Sequence, residues 1–215
     1  LAQAAGARLV MGKATHIDRI AKTIHVPDRP PIAYDLCSID VGITSGMPEL
    51  TGFSEHAVPA KPLDDFARIW DQFCKDKSKS NVAILGAGVA GAEVAMAAAH
   101  RMKQLDKSGQ VALIDRSDAL SRLGRSARKK ALSALADLGV TFFENTVVSE
   151  ITADQVIVEG NAPIAADLTL GAAGTRPYQW LSKLGLTTHE GYINVLPTLQ
   201  SESDTAIFAV GDCAH

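Results

Sequence analysis

The 215 residues carry 21 Lys and Arg against 24 Asp and Glu, a formal charge of −3 with histidine neutral, too balanced to hold nucleic acid or an anionic membrane by its field. At 22.7 kDa the chain suffices for one large domain or two small ones with a real core, and no run approaches the roughly 18 unbroken apolar residues of a spanning helix, so it reads as soluble. Cys37, Cys74 and Cys213 lie far apart with no CxxC and no metal-like spacing, which excludes a disulfide framework and a zinc site and fits a reducing, cytoplasmic setting.

Residues 8–40 hold three β-like runs. The first is ARLVMG with its continuation to Ile17, then come KTIHV and IAYDLCSIDVG, spaced as an antiparallel meander followed by a more buried strand. Residues 41–62, with Gly42, Gly46, Pro48, Gly52, Pro59 and Pro62, read as a connection. LDDFARIWDQFCKD repeats Leu63, Phe66, Trp70, Phe73 and Cys74 at helical spacing, with two acids in the first turn. After KDKSKS the pattern alternates: strand NVAILG, helix VAGAEVAMAAAHRM, strand QVALID, helix RSARKKALSALADLG, strand VTFFEN. Short strands separated by helices predict a parallel sheet with right-handed crossovers. A hairpin, TVVSEIT and QVIVEG, precedes the strand DLTLGAAG, and GYINV and TAIFAVGD close the chain.

One motif carries chemistry. Gly86, Gly88 and Gly91 follow NVAIL directly and open an alanine-rich helix, with Val89 and Ala90 between the last two, the context in which GxGxxG binds a dinucleotide. Gly86 permits the tight turn, Gly88 lets backbone approach a pyrophosphate, and Gly91 seats the helix on the sheet. The helix start then offers N–H groups and a positive dipole end to the diphosphate. QVALID ends at Asp115, placed to accept ribose hydroxyls and repel a 2'-phosphate, which favours NAD over NADP. Arg116 follows, and Arg122, Arg125, Arg128, Lys129 and Lys130 cluster behind it. A phosphate-tolerant site stays open, while the cluster beyond Arg116 reads as a solvated helix face. Glu93 either stabilises the helix end or lies near the nicotinamide end of a ligand. The six histidines show no ligand spacing, and no metal ligand or catalytic acid or base is assigned.

GAGVAGAEVA after a strand, the acid-ended QVALID, DLTLGAAGTRP and TAIFAVGDCAH together resemble the pyridine nucleotide–disulfide oxidoreductase superfamily, on the type II NADH dehydrogenase branch. YDLCSIDVGITSGMPELTGFSEHAVPAKPLDDFARIW and LPTLQSESDTAIFAVGDCAH resemble more closely the oxidoreductase region fused to selenide, water dikinase. The resemblance implies an α/β fold in which a Rossmann-like NAD(P)H domain, a parallel sheet with a β-meander, is inserted into a partial FAD domain. The expected divisions are 1–62 and 186–215 for the FAD part and 63–185 for the NAD(P)H domain. It implies hydride transfer from NAD(P)H to FAD, to an acceptor left open among quinone, oxygen, a protein and a sulfur or selenium compound. By position, Gly86, Gly88 and Gly91 would hold the NAD(P)H diphosphate, Glu93 would lie beside the nicotinamide–flavin contact, and Asp115 would take the adenosine ribose. Gly174 would border the nicotinamide, and Gly211 with Asp212 would form the second FAD motif. Thr44, Ser45 and Gly46 fall where the family passes the FAD diphosphate.

The family's first GxGxxG is not in this sequence, which begins with Leu1. The chain therefore reads as a piece of a longer polypeptide that holds FAD weakly and is inactive alone, with dimerisation, as a homodimer, or aggregation expected through 1–40 and 190–215. The alternative is a nucleotide-responsive module docking to a partner such as the kinase domain. A short-chain dehydrogenase is disfavoured because no YxxxK follows the fingerprint, and GxSxG, HExxH and P-loop patterns do not occur.

Overall fold

The computed structural model describes residues 2–215. Two compact units result: one runs to Gly42 and resumes over Pro177–His215, the other is Ile43–Arg176. The boundaries of these units lie near 42 and 176, whereas the divisions expected from the sequence lie near 62 and 185.

In the discontinuous unit, β1 (His16–Asp18), β2 (Thr23–His25) and β3 (Ile32–Ala33) form an antiparallel meander. The run at 7–12 is not a strand. Leu9 and Met11 are both exposed, so its alternation meets no apolar layer to bury against. Next comes β4 (Cys37–Ile39), buried at both ends.

The continuous unit starts with α1 (Phe53–His56) and β5 (Ala57–Pro59), inside the stretch expected to be a plain connection. Val58 of β5 is buried and the strand pairs in parallel with the last strand of the unit, which draws 43–62 into this unit. Then follow α2 (Leu63–Lys75), β6 (Val82–Leu85), α3 (Val89–Gln104), β7 (Val111–Ile114), α4 (Arg125–Asp137) and β8 (Val140–Phe143). A second meander, β9 (Val148–Ile151), β10 (Gln155–Val158) and β11 (Ile164–Ala165), leads into β12 (Leu168–Gly171). The sheet is parallel throughout in the order β5-β12-β6-β7-β8.

That sheet has a core on each face, because successive side chains of a strand point to opposite sides. Val82, Ile84, Val111 and Leu113 join Phe73, Ala95, Ala99 and Leu135 of the helices. Ala83, Leu85, Ala112 and Ile114 pack with Phe53, Ile151, Val156 and Ile164. Burial on both faces is why β6 and β7 are unbroken apolar runs.

The returning segment adds α5 (Gln179–Ser182), the pair β13 (Thr188–His189) and β14 (Tyr192–Ile193), then β15 (Gln200–Ser201), β16 (Asp204–Ala209) and a 3-10 turn Gly211–Cys213. β16 pairs antiparallel with β15 and parallel with β4. Ile39, Leu181, Ile193, Ile207 and Cys213 form this unit's core. Among the described residues no helix is long and apolar enough to cross a membrane, and no group of three or more His, Cys, Asp and Glu is placed to hold a metal ion.

Candidate functional site

The strand-to-helix turn after β6 is built so that only glycine fits at two of its three glycine positions. Gly86 has φ +103, and a Cβ there would lie 2.8 Å from the Ala173 nitrogen. A Cβ on Gly91 would fall on the carbonyl oxygen of Gly86, so Gly91 is what lets α3 start against the turn. Gly88 is different: φ is −72, open to any residue, and a Cβ there would meet nothing within 4 Å. What the chain leaves clear at Gly88 is space in front of α3, a cradle that a side chain would fill. α3 has no acid in its first turn and Gly88 makes no side-chain cap. The positive end of a 16-residue helix with its first N–H groups directed outward therefore opens onto that space.

Asp115 holds this turn from the next strand. Its Oδ2 accepts from the Ala87 N–H at 2.6 Å, and its Oδ1 accepts from the Ser117 N–H at 2.9 Å and the Ser117 hydroxyl at 2.8 Å. The Ala87 carbonyl accepts from the Leu120 N–H at 2.7 Å. Ala87 is thus held on both sides of its Cα, through its N–H and its carbonyl, by the 115–120 loop. Each carboxylate oxygen has two lone pairs, so Asp115 keeps acceptor capacity beyond these three bonds. The loop is braced in turn: Ala119 donates its N–H to Glu144 at 2.7 Å and accepts from Arg128 Nε at 2.8 Å. Arg128 is therefore bonded structure, where the sequence suggested a solvated face.

A cavity of about 810 Å³ spreads over the turn. It brings together Gly86, Gly88, Val89, Asp115, Arg116 and Gly174. Ala90 and Glu93 line a separate, mostly apolar cavity of about 390 Å³ between α2 and α3, with Lys61, Phe66 and Trp70. Ala172 and Thr175 border both. Gly91 lies buried beneath the turn. Gly211 and Asp212 sit in the other unit, at the end of β16, where a Cβ on Gly211 would lie 2.8 Å from Asp40 Oδ1.

Thr44, Ser45 and Gly46 belong to the same unit as the glycine turn. The Ser45 hydroxyl, buried, donates to the Gly171 carbonyl at 2.7 Å and accepts from the Lys61 N–H at 3.1 Å. Thr44 and Arg176 exchange N–H···O bonds of 2.9 Å, stitching the strands by which the chain enters and leaves the unit.

Two cavity residues were not singled out in the sequence. Arg176 forms a fork-to-fork pair with Glu49, Nη2 to Oε1 at 2.7 Å and Nη1 to Oε2 at 3.1 Å, and both line the larger cavity. The guanidinium holds the Glu49 carboxyl below its usual range. No local signal pairs residues 127 positions apart.

The model for the family described as pyridine nucleotide-disulphide oxidoreductase matches residues 2–215. The chain belongs to this family. It is similar to the NADH dehydrogenase-like protein YutJ of Bacillus subtilis, 25% identical over 94% of this chain and 56% of that protein. It is similar to the type II NADH:quinone oxidoreductase of Haemophilus influenzae, 30% identical over 75% of this chain and 38% of that protein. The chain thus spans little more than half, or less, of these relatives' length. Among solved structures it resembles a NAD-dependent persulfide reductase from A. fulgidus, with a TM-score of 0.74 and 25% identity over 94% of this chain and 38% of that one. Family membership agrees with the α/β fold and parallel sheet; two of these relatives are a NADH:quinone oxidoreductase and an NAD-dependent persulfide reductase.

Proposed function

We propose that this chain is the part of an FAD-dependent NAD(P)H oxidoreductase that receives the reduced nicotinamide coenzyme for hydride transfer to the flavin. The observation that carries the reading is the uncapped start of α3 behind Gly86 and Gly88, opening on a cavity of about 810 Å³ in a chain of this family. In this reading the start of α3, with the N–H of Val89 in the larger cavity, takes the diphosphate, and Gly88 keeps the approach open. Asp115 orients the Ala87 N–H and offers its remaining lone pairs to the adenosine ribose, with Arg116 beside it. Gly174 in this cavity and Glu93 in the adjoining one, which share Ala172 and Thr175, border the nicotinamide end. A carboxylate at the ribose repels a 2'-phosphate, which supports NAD as the preferred coenzyme.

FAD, when bound, supplies the hydride acceptor. In this chain Gly211 and Asp212 are proposed to meet its ribityl–phosphate portion, an assignment supported by the acidic turn they form with Asp40. FAD's own diphosphate needs another glycine-rich helix start, and the sequence holds GxGxxG once, at 86–91. The active enzyme is therefore proposed to be a longer protein, the 215 residues binding FAD weakly and being inactive alone. A quinone is the proposed acceptor class, in keeping with the name of the Haemophilus influenzae relative. The same proposal includes a cytoplasmic setting, a homodimer and a fused selenide, water dikinase domain. They rest respectively on cysteine usage, on exposed apolar residues such as Ile20 and Leu36, and on the sequence resemblance.

Parallel calorimetric titration with NADH, NADPH and FAD tests the reading. NADH is expected to bind tightest and FAD weakly. Heat from neither NADH nor NADPH would overturn it.

A further inference from the structure

The cations around the larger cavity are unevenly placed. Arg116 and Arg122 come from the loop after β7, while Arg176 comes from the opposite wall, the segment after β12. That wall closes directly over the glycine turn: Ala173 fills the position a Cβ on Gly86 would take, and Arg176 Nη2 lies 3.9 Å from where a Cβ on Gly174 would sit. The backbone of Arg176 is fixed by its paired bonds to Thr44, so its side chain is rooted at this wall and reaches into the cavity from there.

In the structure described, that guanidinium is engaged by Glu49. The geometry is the strong bidentate form, but the side chains remain 41% and 63% exposed. Such a pair changes an equilibrium constant by at most about fivefold, so a better anion can displace Glu49. A dinucleotide between the two walls presents its diphosphate, a planar-fork partner for Arg with two charges to Glu49's one. It is also the charged portion nearest the helix start that faces this wall.

We propose that Arg176 is a ligand of the coenzyme diphosphate held in reserve by Glu49, so that Glu49 sets coenzyme affinity by competing with the ligand for the guanidinium. This deepens the coenzyme reading and rests on it. Glu49 is a positioning residue here, acting only through Arg176. It lowers affinity while keeping the cavity wall ordered and its charge neutral until an anion arrives.

The sign of the Glu49 effect is the test. NADH and ADP-ribose, which share the diphosphate, are titrated calorimetrically into the full chain and into E49Q, R176Q, R176K and the E49Q/R176Q double variant, with thermal unfolding recorded for each. R176Q is expected to raise Kd about tenfold. E49Q is expected to lower it about threefold, and this gain should vanish in the R176Q background. R176K, keeping the charge without the fork, should fall between wild type and R176Q. It stands in for R176Q if that variant unfolds.

The proposal is overturned if E49Q weakens binding, if its gain survives loss of Arg176, or if the gain occurs with NADH but not with ADP-ribose. Binding by the wild type with no effect of either substitution removes this proposal and leaves the coenzyme reading standing. No binding by the wild type removes both.

Discussion

The Ala87 N–H, in the middle of the glycine-rich turn, donates to Asp115 Oδ2 at 2.6 Å across 28 residues of sequence. The acid that ends β7 is thus the partner that fixes the preceding turn. Hydrogen bonds to a charged acceptor contribute about 1.5–3 kcal/mol each, and an amide at this position would turn a donor toward Ala87 or Ser117. Asp115→Asn is expected to cost about 2 kcal/mol of stability and to weaken NADH binding by tenfold or more, read by denaturant unfolding and by titration. A variant with unchanged turn stability and lowered NADH affinity would assign Asp115 to the ribose alone.

Gly91 and the helix it starts make a separable prediction. Its missing side chain is a packing requirement, since a Cβ would overlap the Gly86 carbonyl oxygen. Overpacking of this kind costs about 3 kcal/mol. Gly91→Ala should therefore lower the unfolding midpoint whether or not coenzyme is present, and wild-type stability in that variant would show that α3 can shift away from the turn.

Coenzyme preference sets Asp115 against two guanidinium groups. Arg116 and Arg122 line the same cavity and come from the loop that follows Asp115. Whatever affinity exists for a 2'-phosphate is expected to come from them. Replacing both by Ala should weaken NADPH binding about tenfold while changing NADH binding less than threefold, measured by paired titrations. Equal losses for the two coenzymes would place these side chains on the diphosphate instead.

Asp167 gives a pH dependence. Burial would raise its pKa, yet the N–H groups of Asn81 and Ser80, donating to Oδ2 at 2.8 and 3.0 Å, outweigh burial and lower it. A folded pKa below the unfolded value of about 4 means that the stabilisation is fully present above that pH and is lost as pH falls through the folded value. Asp167→Asn should therefore destabilise the chain at pH 7, with the difference from wild type shrinking below about pH 4. A difference constant from pH 7 to pH 3 would contradict the assignment.

Much of this fold is legible because the parallel sheet is buried on both faces. Val82–Leu85 and Val111–Ile114 are apolar at every position, and Gly86, Gly88 and Gly91 mark the junction to α3 with no competing pattern. β5 escaped because three residues ending in Pro59 carry too little periodicity to distinguish a strand from a loop, and its pairing with β12 joins positions more than a hundred residues apart. The 7–12 run misled for the opposite reason: it has strand-like residues but nothing to pack on. The glycine turn and the strand-end position of Asp115 beside it were readable because a local pattern carries them. The internal bonds of Asp115 and the Glu49–Arg176 pair were not, since they depend on which distant segments the fold brings together.

Gly88 decides the central claim, because it is the one glycine of the turn that the chain itself does not require. Gly88→Leu places a side chain in open space at an ordinary φ of −72, so calorimetric titration of this variant with NADH, alongside its thermal unfolding, isolates the ligand. The account predicts an unfolding midpoint close to wild type and a loss of NADH affinity of at least a hundredfold, about 2.7 kcal/mol. Undiminished NADH affinity in a folded Gly88→Leu chain would contradict it.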